Sequence, residues 1–512
     1  MSHPTPPALR TGWASLKDLT GYQWFVFVVC CLAWDMDCMD QQLFALARRP
    51  AMETLVARVT ADDPRVARQK ADMEAKSDGK PVTDTQVINS LQSADIGSAA
   101  GWATSFFLIG WSVGGIVFGI LGDRWGRVKT LMLTIGLYAA FTGLSALSTS
   151  VWDFHLYRFL TGLGVGGVFA AAVTLLAETV PANARPFALG LFQASSVLGN
   201  CTAALLSMYF GSLSEQGVFD GQTLLGFELS PWRLMFLIGI LPGILIVVIQ
   251  FKLKEPEKWT QAVAAGGVRR AGSYQELLGG RWRRNAVFGL ILALAGVIGL
   301  WGIGFFSYDL QRVVAEPQYR QEAVDQGLAT PAQADTNQLP EAASKYINGQ
   351  KAYWAGITSL VQNAAAFFGI FAFSWITASV GRRPAFALFF VLAGVSTAAV
   401  FLFLNSRGDI FWMVPMMGFF QLALFGGYAI YFPELFPTRL RSTGTSFCYN
   451  VGRLIAASGP AVLGLLLSPA VFGSYPEPEP FRYAGAAMCS VFLLGLVALP
   501  FLPETKGQPL PE

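Results

Sequence analysis

The stretch CCLAWDMDCMDQQLF, residues 30–44, sets Asp35, Asp37 and Asp40 among Trp, Met, Cys and Leu. On a helix, residues three apart lie close around the axis, so Asp37 and Asp40 share a face while Asp35 points elsewhere. At mid-bilayer an ionised carboxylate costs roughly 2.5–3.5 kcal/mol, and three would cost roughly 8–10 kcal/mol. That rivals the whole stability of an ordinary domain. At least the pair must therefore face a watery cavity or a cation, or carry a proton. Two carboxyl groups so placed could take up a proton and release it as a cavity opens, which is the chemistry of a proton-coupled carrier. The plainer alternative makes Asp40 and Gln41 the wet outer end of the helix. Asp35 is expected in a structural pair or at the interface.

Cations that could answer these acids are few. Arg158 begins the fourth apolar run and Arg453 lies inside the eleventh, in YNVGRLIAASGP. Arg453 could grip a solute carboxylate through two parallel bonds, or neutralise a carboxylate of the protein itself. Gln193, Asn200, Gln362, Asn363, Gln421, Tyr428, Tyr431 and Asn450 each stand alone in apolar runs, where they line a solute path or bond helix to helix. Aromatic residues such as Trp102 and Trp111 abound, and most are expected at lipid or at the interface.

These residues need elements to position them. The chain has 512 residues, 53% hydrophobic and only 13% charged, against about 25% charged in water-soluble proteins. Apolar runs of about 20 residues cross the hydrocarbon. Twelve are read, near 22–47, 99–121, 129–149, 153–180, 186–209, 232–252, 285–309, 351–379, 384–404, 410–432, 443–468 and 481–502. They must be helices, because in lipid each backbone group has to pair within its own segment. Arg124, Arg127, Lys129, Arg185, Arg382, Arg383, Arg439 and Arg441 then fall in loops on one side. By the positive-inside rule that side and both termini are cytoplasmic. Two longer polar segments, 48–98 and 311–350, follow spans one and seven on the outer side. They read as solvated helical caps or as a paired lid.

The basic turns repeat. GDRWGRVKT (122–130) follows span two and SVGRRP (379–384) follows span eight; AETVPANARPFALG (177–190) follows span four and PELFPTRLRSTG (433–444) follows span ten. A second half that repeats the charge signals of the first is a two-bundle transporter pattern. The fold expected is an all-α membrane protein with twelve transmembrane helices in two pseudo-symmetric six-helix bundles. Residues 1–252 form the first bundle, 253–284 a cytoplasmic linker and 285–512 the second bundle.

On these motifs the chain resembles the major facilitator superfamily. Gly122-Asp-Arg-Trp-Gly-Arg127 is similar to the family's loop motif between spans two and three, and RFLTGLGVGG from Arg158 to its span-four motif. PETKG (503–507) and the Glu/Arg pairs after spans four and ten resemble the sugar-porter branch. Asp37-Cys-Met-Asp40 resembles the Asp-x-x-Asp of the aromatic-acid/proton symporters, with Cys38 where Gly is usual. The resemblance implies an internal ion-pair or proton-relay role for Arg158. Paired acids and arginines near the inner face, namely Asp123, Arg127, Glu178 and Arg185 with Arg382, Glu434 and Arg439, are expected to form a gate network there.

Other classes are set aside. Gly162, Gly164 and Gly167 spell G-x-G-x-x-G with no strand before them, and small residues in an apolar helix permit close helix contact, so no nucleotide is expected. A net charge of +3, scattered along the chain, gives nucleic acid no hold. Six cysteines in apolar segments and two histidines offer no disulfide framework, metal spacing or cofactor. No nucleophile–base constellation supports an enzyme. The expectation is a monomeric carrier in the plasma (inner) membrane, moving a small organic anion with protons through Asp37, Asp40, Arg158 and Arg453. Gln41, Gln193, Asn200, Gln362, Asn363, Gln421, Tyr428 and Asn450 are its candidate cavity residues. A sugar or polyol carrier, an organic-cation carrier and a non-transporting sensor are the alternatives.

Overall fold

A computed structural model describes residues 12–76, 83–215, 218–219, 221–224, 226–264, 272–304, 306–334, 339–456, 462, 465–466, 471–472 and 478–511. The first half runs through α1 (Gly21–Leu55), α2 (Pro64–Lys76), α3 (Asp84–Arg124), α4 (Arg127–Ser145), α5 (Val151–Thr179), α6 (Arg185–Glu215), α7 (Pro231–Ile238) and α8 (Gly243–Lys252). Two short helices come next, α9 (Glu257–Ala264) and α10 (Tyr274–Gly279). The second half continues with α11 (Arg283–Val297), α12 (Phe306–Val314), α13 (Glu316–Asp325), α14 (Pro331–Ala334), α15 (Glu341–Val380), α16 (Arg382–Phe403), α17 (Ile410–Leu435), α18 (Arg441–Ser446) and α19 (Gly452–Ala456). The last apolar span covers Phe481–Phe501.

Among the described residues ten helices are long and apolar enough to cross a membrane. Gly21–Arg48, bent by 115° from the short helix Gly12–Asp18, makes one more. The remaining span read from sequence, near 443–468, begins with α18 and α19, and most of its outer part lies outside the described residues. A π-helical turn, Phe447–Val451, joins α18 to α19. Span six is broken between α7 and α8, where Pro242 has no N–H to continue the ladder.

The helix starts are written in local chemistry. Thr20 caps α1 by accepting from Gln23 N at 3.2 Å, while Gln23 Oε1 accepts from Thr20 N at 3.0 Å. Ser150 and Asp153 do the same for α5, and Ser406 and Asp409 for the short 3-10 turn Arg407–Asp409 that leads into α17. At the basic face α4 and α16 are capped from a distance. Glu255 accepts from the backbone N–H groups of Arg127, Val128 and Lys129 at 2.7, 3.1 and 3.3 Å, and Glu504 from those of Arg382 and Arg383 at 2.9 and 3.0 Å. A carboxylate suits the positive end of a helix. Gly126 and Gly381 make room for them, with φ of +116° and +105° and with any Cβ falling 2.2 and 2.8 Å from those carboxylates. Asp153 and Asp409, Glu178 and Glu434, and Arg185 and Arg441 recur at one constant interval in the chain. The two halves are copies of one design.

Three helices outrun the membrane-length segments read from sequence. α1 ends at Leu55, and α3 and α15 start at Asp84 and Glu341, so much of each outer polar segment is helix continuous with a span. Polar faces there pair with neighbours: Arg65 bonds Asp95 at 2.9 Å and Lys70 bonds Asp84 at 2.8 Å, holding α2 on α3. In the second half Tyr319, Ala323, Ala343 and Ile347 form a small separate core. Arg407 joins it by pairing with Glu322 and stacking on Tyr319 and Trp354 at 5.4 and 5.2 Å.

The halves meet along the basic face. Small residues on α3 let the helix that begins at Arg441 come close: a Cβ on Gly122, Gly119 or Gly115 would strike Ser442, Ser446 or Asn450. Thr443 Oγ1 donates to Gly119 O at 3.2 Å, and Ser446 Oγ donates to Gly115 O. Trp13, before the first span, lies between Phe187 of α6 and Phe371 of α15, at 4.8 and 4.7 Å. This face is shut.

Candidate functional site

Between the halves, behind that closed face, lies a cavity of about 170 Å³. The first half contributes Trp34, Cys38, Gln41, Gln42, Gln193, Ser196 and Asn200; the second contributes Ser359, Gln362, Asn363, Phe425, Tyr449 and Arg453. Six amide side chains, one guanidinium and several rings surround a space sized for one small solute. Two larger hollows, about 520 and 810 Å³, lie elsewhere, one beside Arg383 and Leu496 and one beside Arg320 and Arg482. Neither adjoins the buried acids.

Asp37 and Asp40 are both fully buried and take different partners. Asp37 Oδ2 accepts from Gln41 Nε2 at 2.9 Å, and Gln41 lines the cavity, so this carboxylate stands one side chain behind its wall. Asp40 Oδ1 accepts from Thr142 Oγ1 of α4 at 2.7 Å. The second oxygen of each, Asp37 Oδ1 and Asp40 Oδ2, has no hydrogen-bond partner. The positive charge acting on Asp37 is Arg453, and the one acting on Asp40 is Arg158. Neither couple closes an ion pair, so of the two roles the resemblance implies for Arg158, internal ion pair or proton relay, the pair is not formed in this conformation. One face of α1 thus holds two half-answered carboxyl groups with different donors, near enough for the Asp40 charge to act on Asp37. Asp35 is half-buried, with Oδ1 unpartnered.

Arg158 is fully buried and donates from Nε and Nη2 to Ser145 Oγ at 3.1 and 2.6 Å. Rings of Phe236, Phe44 and Phe154 surround it at 4.7, 5.5 and 5.8 Å. Thr142 and Ser145 lie three apart on α4, so one helix face holds both Asp40 and Arg158.

Arg453 is 8% exposed, and its Nε and Nη1 have no hydrogen-bond partner. Its guanidinium lies 3.9 Å from the Trp111 ring and 4.2 Å from the Tyr449 ring. Cation–π contact answers part of the charge, and Tyr449 and Asp37 act on it as well, while Nε and Nη1 stay without a partner. Trp111 is 3% exposed, an exception to the expectation that most aromatic residues face lipid or the interface. Its neighbours Gly110 and Gly114 bring α3 against α5 closely enough to bury it, their Cβ positions falling 2.1 and 2.0 Å from backbone oxygens.

Of the sequence's candidates, Gln41, Gln193, Asn200, Gln362, Asn363 and Arg453 line the cavity. Gln421, Tyr428 and Asn450 do not, and their donors are turned to neighbouring helices, while Gln421 Oε1 and Asn450 Oδ1 have no hydrogen-bond partner. Gln421 Nε2 donates to Thr397 Oγ1 at 2.7 Å, Tyr428 OH to Leu292 O at 2.8 Å and Asn450 Nδ2 to Gly166 O at 3.2 Å. Tyr431 OH donates to Pro503 O. Sequence reasoning missed Trp34, Gln42, Ser196, Ser359 and Tyr449. The i, i+4 spacing of Tyr449 and Arg453 could have marked the tyrosine as sharing a face with the guanidinium.

At the closed face Arg127 pairs with Asp123 at 3.1 Å and with Glu178 at 3.2 Å, and Arg441 from the other half pairs with Glu178. Asp123 accepts from Ser442 N at 3.1 Å, and from Thr443 N and Oγ1 at 2.9 and 2.7 Å. In the second half Arg382 pairs with Glu434 at 2.9 Å, and Thr505 Oγ1 donates to the same Glu at 2.6 Å. Two members of the expected network stand differently. Arg185 makes no ion pair among the described residues; its Nε donates to Ala177 O at 3.0 Å. Arg439 pairs with Glu276 of α10 at 2.6 Å. The true counterpart of Arg185 is Arg441, whose Nε donates to Pro433 O at 3.0 Å in the same relation. Two arginines stand two apart in PTRLRS, and only the second reaches inward.

A family model described as Major Facilitator Superfamily matches residues 86–316. A cis,cis-muconate transport protein of Acinetobacter baylyi is 28% identical over 80% of this chain and 86% of its own. A niacin transporter of the same organism is 25% identical over 71% of this chain and 77% of its own. Among solved structures, a proton:xylose symporter bound to 6-bromo-6-deoxy-D-glucose superposes with a TM-score of 0.60 at 16% identity, covering 96% of this chain and 98% of its own.

Proposed function

We propose, from the premise that this chain belongs to the major facilitator superfamily of transporters, that it carries a small organic carboxylate across the plasma membrane together with protons, by alternating access. Both termini and the shut basic face are cytoplasmic in this reading, so the conformation described is closed to the inside. The two bundles divide at the 253–284 linker, and the chain works as a monomer.

The observation that carries the reading is Arg453. A guanidinium more than nine-tenths buried, with two N–H groups unspent at the wall of a cavity, calls for an anion, and a carboxylate fits its edge in bidentate fashion. The named solutes of two relatives, muconate and niacin, are carboxylates, which supports the same class. Asp37 is the coupling group. It lies behind Gln41 and feels the charge of Arg453, so a solute carboxylate arriving at Arg453 changes how well that charge answers Asp37. Binding of anion and proton are linked through one guanidinium. Asp40, Thr142, Ser145 and Arg158 form a second polar step that holds α1 on α4. Asp123, Arg127, Glu178 and Arg441 act as the cytoplasmic latch, which breaks when the bundles rock.

The test is uptake into proteoliposomes of cis,cis-muconate, nicotinate, xylose and a quaternary amine. Carboxylate uptake alone is expected. Arg453→Gln should weaken carboxylate affinity on the order of a hundredfold, since a charged hydrogen-bonded pair is worth about 1.5–3 kcal/mol. Unchanged carboxylate affinity in that variant would refute the anion assignment.

A further inference from the structure

The guanidinium of Arg453 belongs to a run of four side chains in contact, two from each half. Phe169 of α5 stacks on Tyr449 with ring centroids 4.1 Å apart and planes 15° apart. The Arg453 guanidinium lies 4.2 Å from the Tyr449 ring and 3.9 Å from the Trp111 ring of α3. The first half supplies both ends of the run and the second half supplies the middle. Contact with two rings restrains the guanidinium, and so keeps it in its place at the cavity wall.

What sets Trp111 on Arg453 is the packing seam below it. Gly122 meets Ser442, Gly119 meets Ser446 and Gly115 meets Asn450, the numbers falling along α3 and rising along its partner as the two helices leave the closed face together. Trp111, one turn beyond Gly115, is the next rung, and Arg453, one turn beyond Asn450, is its partner. The π-helical turn Phe447–Val451 falls within this run and fixes where Tyr449 and Arg453 point. When the seam opens, the rung at Trp111 must part.

We infer that Trp111 is a positioning residue for Arg453, holding the guanidinium at the cavity wall only while the basic face is zipped shut. Carboxylate affinity is then high in the closed-inside state and falls as the inner gate opens, which favours release inward. The inference rests on the assignment of Arg453 as the carboxylate grip.

The test is equilibrium binding of nicotinate and cis,cis-muconate to the purified full chain. Trp111→Leu, which keeps an apolar bulk but no ring face, should weaken binding roughly tenfold; Trp111→Phe should restore most of it. In an Arg453→Lys background Trp111→Leu should weaken it by less than about twofold further, because a lysine has no guanidinium to hold. Gly115→Ala, whose Cβ would come 2.3 Å from the Asn450 amide, should weaken binding in the same direction by prising the rung apart without touching ring or guanidinium. Two results overturn the inference: a Trp111→Leu variant that binds within about twofold of wild type, or a loss from Trp111→Leu that is as large in the Arg453→Lys background as in the native one. If Arg453→Gln itself binds both acids normally, the functional assignment fails first and this inference falls with it.

Discussion

At the scale of single residues, the first helix explains itself by what its acids touch. Asp37 and Asp40 were legible as two carboxyl groups on one face, with the wet outer end of the helix as the alternative for Asp40, and both are buried. Their division of labour was not legible. It depends on Thr142 and Gln41 being the nearest donors, and Thr142 lies more than a hundred residues away in the chain. Arg158 was visible as a buried cation, but its partner is the Ser145 hydroxyl and a ring of phenylalanines, which no local spacing announces. Thr142→Val tests this scale. It removes the one hydrogen bond Asp40 makes and leaves a buried carboxyl group unanswered, so the protein should lose about 1–3 kcal/mol of stability, read as earlier thermal unfolding in detergent. Thr142→Ser, which keeps the hydroxyl, should lose much less.

At the scale of elements, the repeated turns carried most of the readable information. Glycine before arginine after spans two and eight marked a tight turn, and both glycines do take positive φ beside a capping carboxylate. The carboxylates themselves, Glu255 and Glu504, come after spans six and twelve, so the turns could be read without their caps. The two caps differ electrostatically. Burial pushes the Glu255 carboxyl up, against three backbone N–H bonds. Burial acts on Glu504 too, but hydrogen bonds from Arg382, Arg383 and Lys506 outweigh it and hold the carboxyl below its ordinary range. A depressed carboxylate contributes stability that is present above its unfolded range and lost as pH falls through its folded one. Glu504→Gln should therefore destabilise the protein near neutral pH by about 1 kcal/mol, and the difference from wild type should vanish as acid protonates the native carboxylate. Glu255 is raised instead, so its charged form gains less from folding and Glu255→Gln should cost less near neutral pH. Thermal unfolding across pH reads both.

At the scale of the whole molecule, two copies of one bundle are joined asymmetrically. Glu434 is satisfied inside its own half by Arg382 and Thr505, whereas its counterpart Glu178 reaches across to Arg441. Asp123 also reaches across, to Ser442 and Thr443; Ala378 stands at the matching place in the second half, so no acid there can reach back. The first half holds the second shut. Twelve spans and their pairing into halves could be read from hydropathy and repeated charge. The outer ends could not, because α1, α3 and α15 run past the membrane on polar faces that only their partners explain. The cavity was half readable: amides in apolar helices are conspicuous, but whether each turns to the cavity or to a neighbouring carbonyl depends on helix rotation. Gln421 and Asn450 turned to neighbours. The central claim is that Asp37 couples proton to anion across this joined pair of halves. It is tested most directly by nicotinate uptake into proteoliposomes under an imposed pH gradient, wild type against Asp37→Asn. Accumulation against a concentration gradient should disappear in the variant while exchange of internal for external nicotinate persists. Accumulation by Asp37→Asn with the pH dependence of wild type would contradict the account.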